Sequence, residues 1–283
     1  MGGPEVDVPR VDPPPASGLV WLRDASGVDR THWVAVDGRA LGAQAIDGPV
    51  WAEGSALWQL VIESVDAPLY AEEPQPAQPA QRVGTAPLRR VVLRDLVANA
   101  RLVAIEAPEP GPVRDLRHDV ALVGSVGPFL FFVERLYVDA WGAHGAEDAR
   151  AVVFDLRAGA AVDVATERER AAWAREAPAW ARDLPDLEED AGVSVVALWP
   201  RWAPDGLSVD LHVAVEACYA CGDGEWSDYT RSVRVPLPRP PEQLAMPLPT
   251  WARDAAARVG GTLMGFTRVE HPAPAHVLDS LSR

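Results

Sequence analysis

Apolar residues recur at every second position between Leu207 and Ala217. Leu207, Val209, Leu211, Val213, Val215 and Ala217 alternate with Ser208, Asp210, His212, Ala214 and Glu216. A period of two predicts a β-strand with one buried and one wet face. Residues 231–237 repeat the pattern, with Val233, Val235 and Leu237 on one side. The pair reads as a hairpin whose long connection runs from Cys218 to Tyr229. Upstream, Val120–Val126, Phe129–Val138 and Ala151–Leu156 read as strands. A turn at Arg157-Ala158-Gly159 then leads to Ala161–Val164. Short strands are also expected at His32–Val36, Val50–Trp51 and Leu57–Ile62. Between them lie Asp37-Gly38 and Asp47-Gly48, turn dipeptides in which Gly tolerates positive φ and Asp caps its own turn. Residues 88–105 fit a buried strand or a helix face equally well.

Helical signals are fewer. Thr166 can cap a helix, with Glu169 three residues on to close the reciprocal pair, and Arg, Glu and Ala fill the turns up to Ala177. Trp173 is expected to pack inward, and Pro178 and Pro185 to end the helix. A short C-terminal helix is expected over Thr250–Val259, stopped by Gly260-Gly261. The fold class predicted is α+β, strand-rich, with antiparallel sheets, one main helix at about 166–177 and the short C-terminal one. The expected divisions are a flexible lead-in (1–17), a tryptophan-rich β segment (18–65), a Pro/Ala/Gln-rich loop or linker (66–87) and an α+β domain (88–283). Four tryptophans, Trp21, Trp33, Trp51 and Trp58, fall in the second of these. Core packing is the plainer account of them, and an aromatic ligand platform the sharper one.

Composition narrows the function classes. The 283 residues are 48% hydrophobic and 24% charged, ordinary globular values. Acids outnumber bases 41 to 26, for a formal net charge of -15. That charge repels phosphate backbones and anionic lipid heads, so no nucleic acid is expected as a partner. All the bases are arginine, which excludes Schiff-base lysine chemistry and a lysine phosphate clamp. The longest apolar run, Gly127 to Val133, is too short for a membrane span. Residues 1–15 are polar and Pro-rich, with neither a basic start nor an apolar segment, so no secretion signal is read.

Three groups could carry chemistry. Cys218-Tyr219-Ala220-Cys221 can be a local disulfide, part of a metal site, or a redox pair. Gly222-Asp223-Gly224 follows it, which is loop rather than the helix a redox dithiol needs. Asp223, Glu225 and Asp228 offer oxygen ligands to a hard cation, but their spacing does not match a twelve-residue calcium loop, and a solvated turn is the simpler reading. His144 lies between Gly142 and Gly145 after a strong strand, with Asp139 and Asp148 on either side. It could be a general base or ligand, or it could sit in a tight turn and bond only nearby backbone. No hydrolase elbow, zinc-protease, phosphate-loop or dinucleotide glycine motif is present, and no cofactor is expected.

Two stretches carry a resemblance. Tyr137-Val138-Asp139-Ala140-Trp141-Gly142-Ala143-His144-Gly145, followed by Val153-Phe154-Asp155-Leu156-Arg157-Ala158-Gly159, resembles the Y-x-G-G-A-H … F-D-x-x-T-G hairpin of an extracytoplasmic domain family. That family is found in lysozyme-sensing anti-sigma factors and beside peptidoglycan deacetylase domains. The late strand pair 206–237 follows a helix in the family's order too. Trp141 departs from the pattern by replacing a glycine, and Ala158 by replacing the threonine. The resemblance covers about 120–244. It implies a non-catalytic binding or accessory protein of the bacterial envelope, periplasmic or extracellular, taking a basic wall hydrolase or a peptidoglycan-related glycan. Two alternatives stand beside it. One is a hydrolase or metal-dependent enzyme using His144 with Asp139 or Asp148. The other is a structural subunit of an envelope assembly. Without the resemblance, two readings stay open: a cytoplasmic protein, or a secreted one whose signal is missing from this sequence.

Overall fold

The computed structural model describes residues 17–36, 45–73, 75, 80–142, 144–182, 184, 191–219 and 221–270. The expected lead-in (up to residue 16), the Asp37-Gly38 turn and Pro185 lie outside the described residues.

The chain is strand-rich, and every ladder between its strands is antiparallel. Four sheets form. The first contains β1 (Ser17–Arg23), β2 (Asp29–Ala35), β3 (Ala45–Asp47) and the last strand, β15 (Thr262–Val269). The second contains β4 (Val50–Glu53), β5 (Ala56–Tyr70), β6 (Arg82–Asp95) and β7 (Arg101–Ile105). The third contains β8 (Asp115–Val126), β9 (Phe129–Asp139), β10 (Ala146–Asp155) and β11 (Ala160–Ala161). The fourth contains β12 (Val193–Ala203), β13 (Gly206–Glu216) and β14 (Thr230–Pro236). Among the described residues two α-helices join them, α1 (Glu167–Ala181) and α2 (Thr250–Val259).

The third sheet is the centre because its middle strand is apolar on both faces. Phe129, Phe131 and Val133 enter one core, shared with Val209 and Ala214 of β13, Val20 and Leu22 of β1, and Ala252 and Ala255 of α2. Leu130 and Phe132 point the opposite way, into a core with Trp21, Trp51, Val91, Leu93 and Ile105. The unbroken run in the sequence is therefore a strand covered on both sides, where alternation is not required.

This arrangement decides the tryptophan question. Trp21 and Trp51 are each 1% exposed, with ring centroids 5.6 Å apart in an edge-on pair. The Trp51 Nε1–H donates to Ser125 Oγ at 3.0 Å. Trp33 and Trp58 are partly buried against neighbouring cores. Trp21 and Trp51 are core residues, and Trp33 and Trp58 pack at the margins of two cores.

Both ends of the stretch read as a loop or linker, 66–70 and 82–87, are strand. β5 and β6 pair along their length, with Asp66 opposite Pro87 and Tyr70 opposite Arg82. Ala67, Ala86 and Leu88 bury there against Val113 and Leu116. The composition misled because small and Pro-rich residues suit the narrow, shallowly packed end of a hairpin. β6 and β7 also settle the ambiguity over 88–105 in favour of strands.

α1 is capped as its sequence predicts. The Glu169 N–H donates to Thr166 Oγ1, and the Thr166 N–H donates to Glu169 Oε2. The helix does not stop at Pro178. It continues to Ala181, because Trp173, Ala177 and Ala181 make one buried stripe against β13. Pro178 sits on the exposed side near the helix end, where the lost hydrogen bond falls to solvent. α2 ends at Gly260, at φ 84°, where a side chain would be strained.

Candidate functional site

Two connections meet at one end of the central sheet. The first joins β9 to β10 and carries His144. The second joins β13 to β14 and carries Cys218, Cys221 and the acidic residues. The two are tied by backbone as well as side chains. Ala149 N–H donates to Trp226 O at 2.7 Å, and Glu147 N–H to Asp228 Oδ2 at 2.8 Å. From β9, the Arg135 guanidinium donates to Glu225 O at 2.7 Å.

Cys218 and Cys221 are joined by a disulfide, with S–S 2.14 Å and Cα–Cα 5.0 Å. While bridged, the two sulfurs offer no thiolate to a metal. Tyr219 lies inside this small ring of chain. Its side chain stacks on the His144 imidazole, with ring centroids 3.8 Å apart and planes 18° from parallel. Tyr229 stands 5.5 Å from Tyr219 and 6.4 Å from His144. Both tyrosines stay open to solvent, at 44% and 45% exposure. A third, Tyr137, packs so closely on Gly145 that any side chain there would begin 2.2 Å from its hydroxyl. Three of the chain's four tyrosines therefore gather round the His144 turn.

The turn itself has an unusual member. Trp141, which stands where the resembled motif has a glycine, holds φ at 56°, a conformation that costs an L-residue about 1 kcal/mol or more. Its Nε1 is buried and makes no hydrogen bond. The second half of the motif is a turn too. Arg157 N–H donates to Asp155 Oδ1 at 2.9 Å, and Gly159, at φ 64°, returns its N–H to Asp155 O.

The expected catalytic grouping does not assemble. The His144 Nδ1 lies 3.0 Å from Gly145 O and must donate to it, since a carbonyl only accepts. No hydrogen bond or ion pair links His144 to Asp139 or Asp148 among the described residues. Asp139 is buried and bound to Arg114, whose Nε lies at 3.1 Å. Asp148 is exposed on the edge of β10.

The acidic residues are likewise committed to separate partners. Asp223 accepts from the Ser232 N–H at 2.6 Å and the Glu225 N–H at 3.0 Å. Glu225 accepts from Arg234 at 2.7 Å. Asp228 caps the start of β10 through Glu147. Among the described residues no group of three or more His, Cys, Asp or Glu could hold a metal ion.

Two buried histidines lie away from the His144 turn, and the geometry of His118 shows a structural role. His118 Nδ1 accepts the Arg89 N–H at 2.8 Å, so its Nε2 carries the proton and donates to Glu134 Oε1 at 3.0 Å. No lone pair remains for a base. Burial pushes the Glu134 carboxyl up, but the bonds from His118 and Arg150 outweigh it and hold the group below its ordinary value. His212 lies between Trp199, stacked at 5.0 Å, and Trp226, edge-on at 5.6 Å. Burial pushes it below the ordinary histidine value, and Glu225, 3.5 Å away, only partly counters this.

A cavity of about 440 Å³ opens elsewhere, between β10, β12 and α1. It was invisible in the sequence because β12 was not recognised as a strand.

Searches of family models, curated proteins and solved structures found no match to this chain.

Proposed function

We propose that this chain is a non-catalytic binding protein of the bacterial envelope, working in an oxidising compartment. It uses the His144–Tyr219–Tyr229 surface to hold a basic partner protein such as a lysozyme-like wall hydrolase. The observation that carries this reading is the stacked, half-exposed ring cluster, borne on two mutually tied connections, one of them closed by a disulfide. Tyrosine contributes large contact area with little rotamer entropy to lose, which is why it is enriched at protein interfaces. The formal charge of -15 would steer a basic protein toward it. A hydrolytic role has no comparable support, because no carboxylate partners His144 among the described residues. A structural-subunit role would call for a broad exposed apolar patch. The large apolar side chains that are exposed instead sit on separate elements, such as Val28, Ile62, Val83 and Val259.

The test is binding to a basic lysozyme at low and at physiological salt. The expected result is an affinity that weakens as salt rises and drops at least about tenfold in Tyr219→Ala. Absence of binding at both salts removes this partner. Binding that ignores Tyr219→Ala removes this surface.

A further inference from the structure

The cavity between β10 and β12 has walls of a particular kind: both are strand edges. β12 is the last strand of its sheet and, among the described residues, pairs only with β13. β10 pairs with β9, and on its other side only Phe154 and Asp155 meet β11. In an antiparallel ladder, alternate residues direct both backbone groups to the same side. Ala149 N–H donates to Trp226 O, and Val153 O accepts from the Val162 N–H at 2.8 Å, both away from β9. Ala151 lies midway between them, so its N–H and C=O point the same way, into the cavity it lines.

The same count works on β12. Gly192 O accepts from the Glu216 N–H, which turns Gly192 and Ser194 toward β13. Val193 and Val195 therefore face outward. The register shift between Val195 and Ala197 then brings Leu198 to the outer side as well. β13 agrees, since Val209 and Ala217 bond on its far side, to Leu237 and Tyr229. Val193, Val195 and Leu198 all line the cavity, and no ladder partner covers them among the described residues.

The rest of the lining says what could fill such a space. It is apolar and mostly small, and its one acid and one base, Asp163 and Arg170, are paired with each other. The site has no net charge to offer, so a neutral occupant fits it best. A purely hydrocarbon occupant would seal the strand edges from water without giving them hydrogen bonds, which is unfavourable for each buried group. An added strand removes that cost and places alternate side chains into the cavity.

We propose that this cleft takes an extended, uncharged apolar segment of a partner protein, which adds as a strand to the outer edge of β12. The site shares no residue with the His144–Tyr219–Tyr229 surface, and neither proposal depends on the other.

The probe is a fluorescein-labelled set of eight-residue peptides with Val, Ile, Ala or Thr alternating with Ser, read by anisotropy with the full chain. Members of the set should bind with Kd at or below about 100 µM, as a small interface allows. Methylating alternate backbone nitrogens should weaken the best binder at least about tenfold, because its donors to the β12 edge are gone. Ala174→Trp, on the solvent side of α1 above the cavity, should do the same while the melting temperature stays near that of the parent. Should that variant not fold, amide exchange in the parent decides instead: Ala151, Val193 and Val195 should slow when peptide is added.

Four results would overturn the proposal. They are no binding by any member, equal binding of the methylated peptide, no slowing at those amides, or binding of a hydrophobic dye such as anilinonaphthalene sulfonate in the absence of peptide binding.

Discussion

Strand β9 and the turn that follows it make the sharpest contrast in the molecule. Leu130, Phe131 and Phe132 are at most 2% exposed and belong to two cores at once. Just past the other end of the same strand, His144 stands in solvent against Tyr219. The first region is held by apolar area, each large side chain contributing about 1.5–3 kcal/mol by burial. The second is held by hydrogen bonds between its two connections, a disulfide, the buried Trp226 and one close ring–glycine contact, while Tyr219 and Tyr229 stay half open to water. Change in the first should therefore be read in stability, and change in the second in binding.

The largest effect expected is for Phe131→Ala, which opens a cavity in the centre of the sheet. Denaturant unfolding should show a loss of about 3–5 kcal/mol. A loss under 1 kcal/mol would mean that the sheet is not enclosed on both faces.

Next comes Glu134→Gln. Glu134 is 3% exposed and binds both His118 and Arg150. Breaking one partner of a buried, hydrogen-bonded group should cost about 3 kcal/mol, again by denaturant. Its carboxyl is held low in the folded state, so the stability it adds is present above the unfolded value and is lost as pH falls through the folded one. The Gln variant should lack that acid-side slope.

His212 works with the opposite proton balance. Its folded value lies below its unfolded value of roughly 6.5, so below that pH the unfolded chain takes the proton first. Stability should fall as pH drops from about 6.5 toward the folded value and stay level above it. The charged and titratable groups facing His212 are Glu225, Arg234 and Asp210. A His212→Gln variant should reduce this slope, leaving the share of His32, which burial also holds low. An unaltered profile would place the titrating group elsewhere.

The disulfide belongs to the open region and should act accordingly. It closes only a short loop, so Cys218→Ser with Cys221→Ser should cost at most about 2 kcal/mol of stability. The greater change should be weaker partner binding, as Tyr219 loses its frame.

The same contrast explains what could be read from the chain. The strands of 207–217 and 231–237 were legible because one face is buried and the period survives. The Thr166–Glu169 cap was legible because it is local. β12 was not, because Val196 breaks its alternation and Pro200 interrupts it, while its two faces pack against different cores. The hairpin end at 66–87 was hidden by a composition that small-residue packing shares with loops. The Cys218–Cys221 bridge was open to sequence reasoning, because the two thiols are close neighbours in the chain. The meeting of His144 with Tyr219 and Tyr229 was not, because it is made by two distant connections. Only the sheet brings them together.

The smallest structural effect and the most direct test coincide at Tyr219. Tyr219→Ala should leave unfolding stability within about 0.5 kcal/mol of the parent, since the side chain is nearly half exposed. In the same preparation, affinity for a basic lysozyme at low salt should fall at least about tenfold. Unchanged affinity, or a large loss of stability in its place, would contradict the assignment of this cluster as the surface that meets a partner.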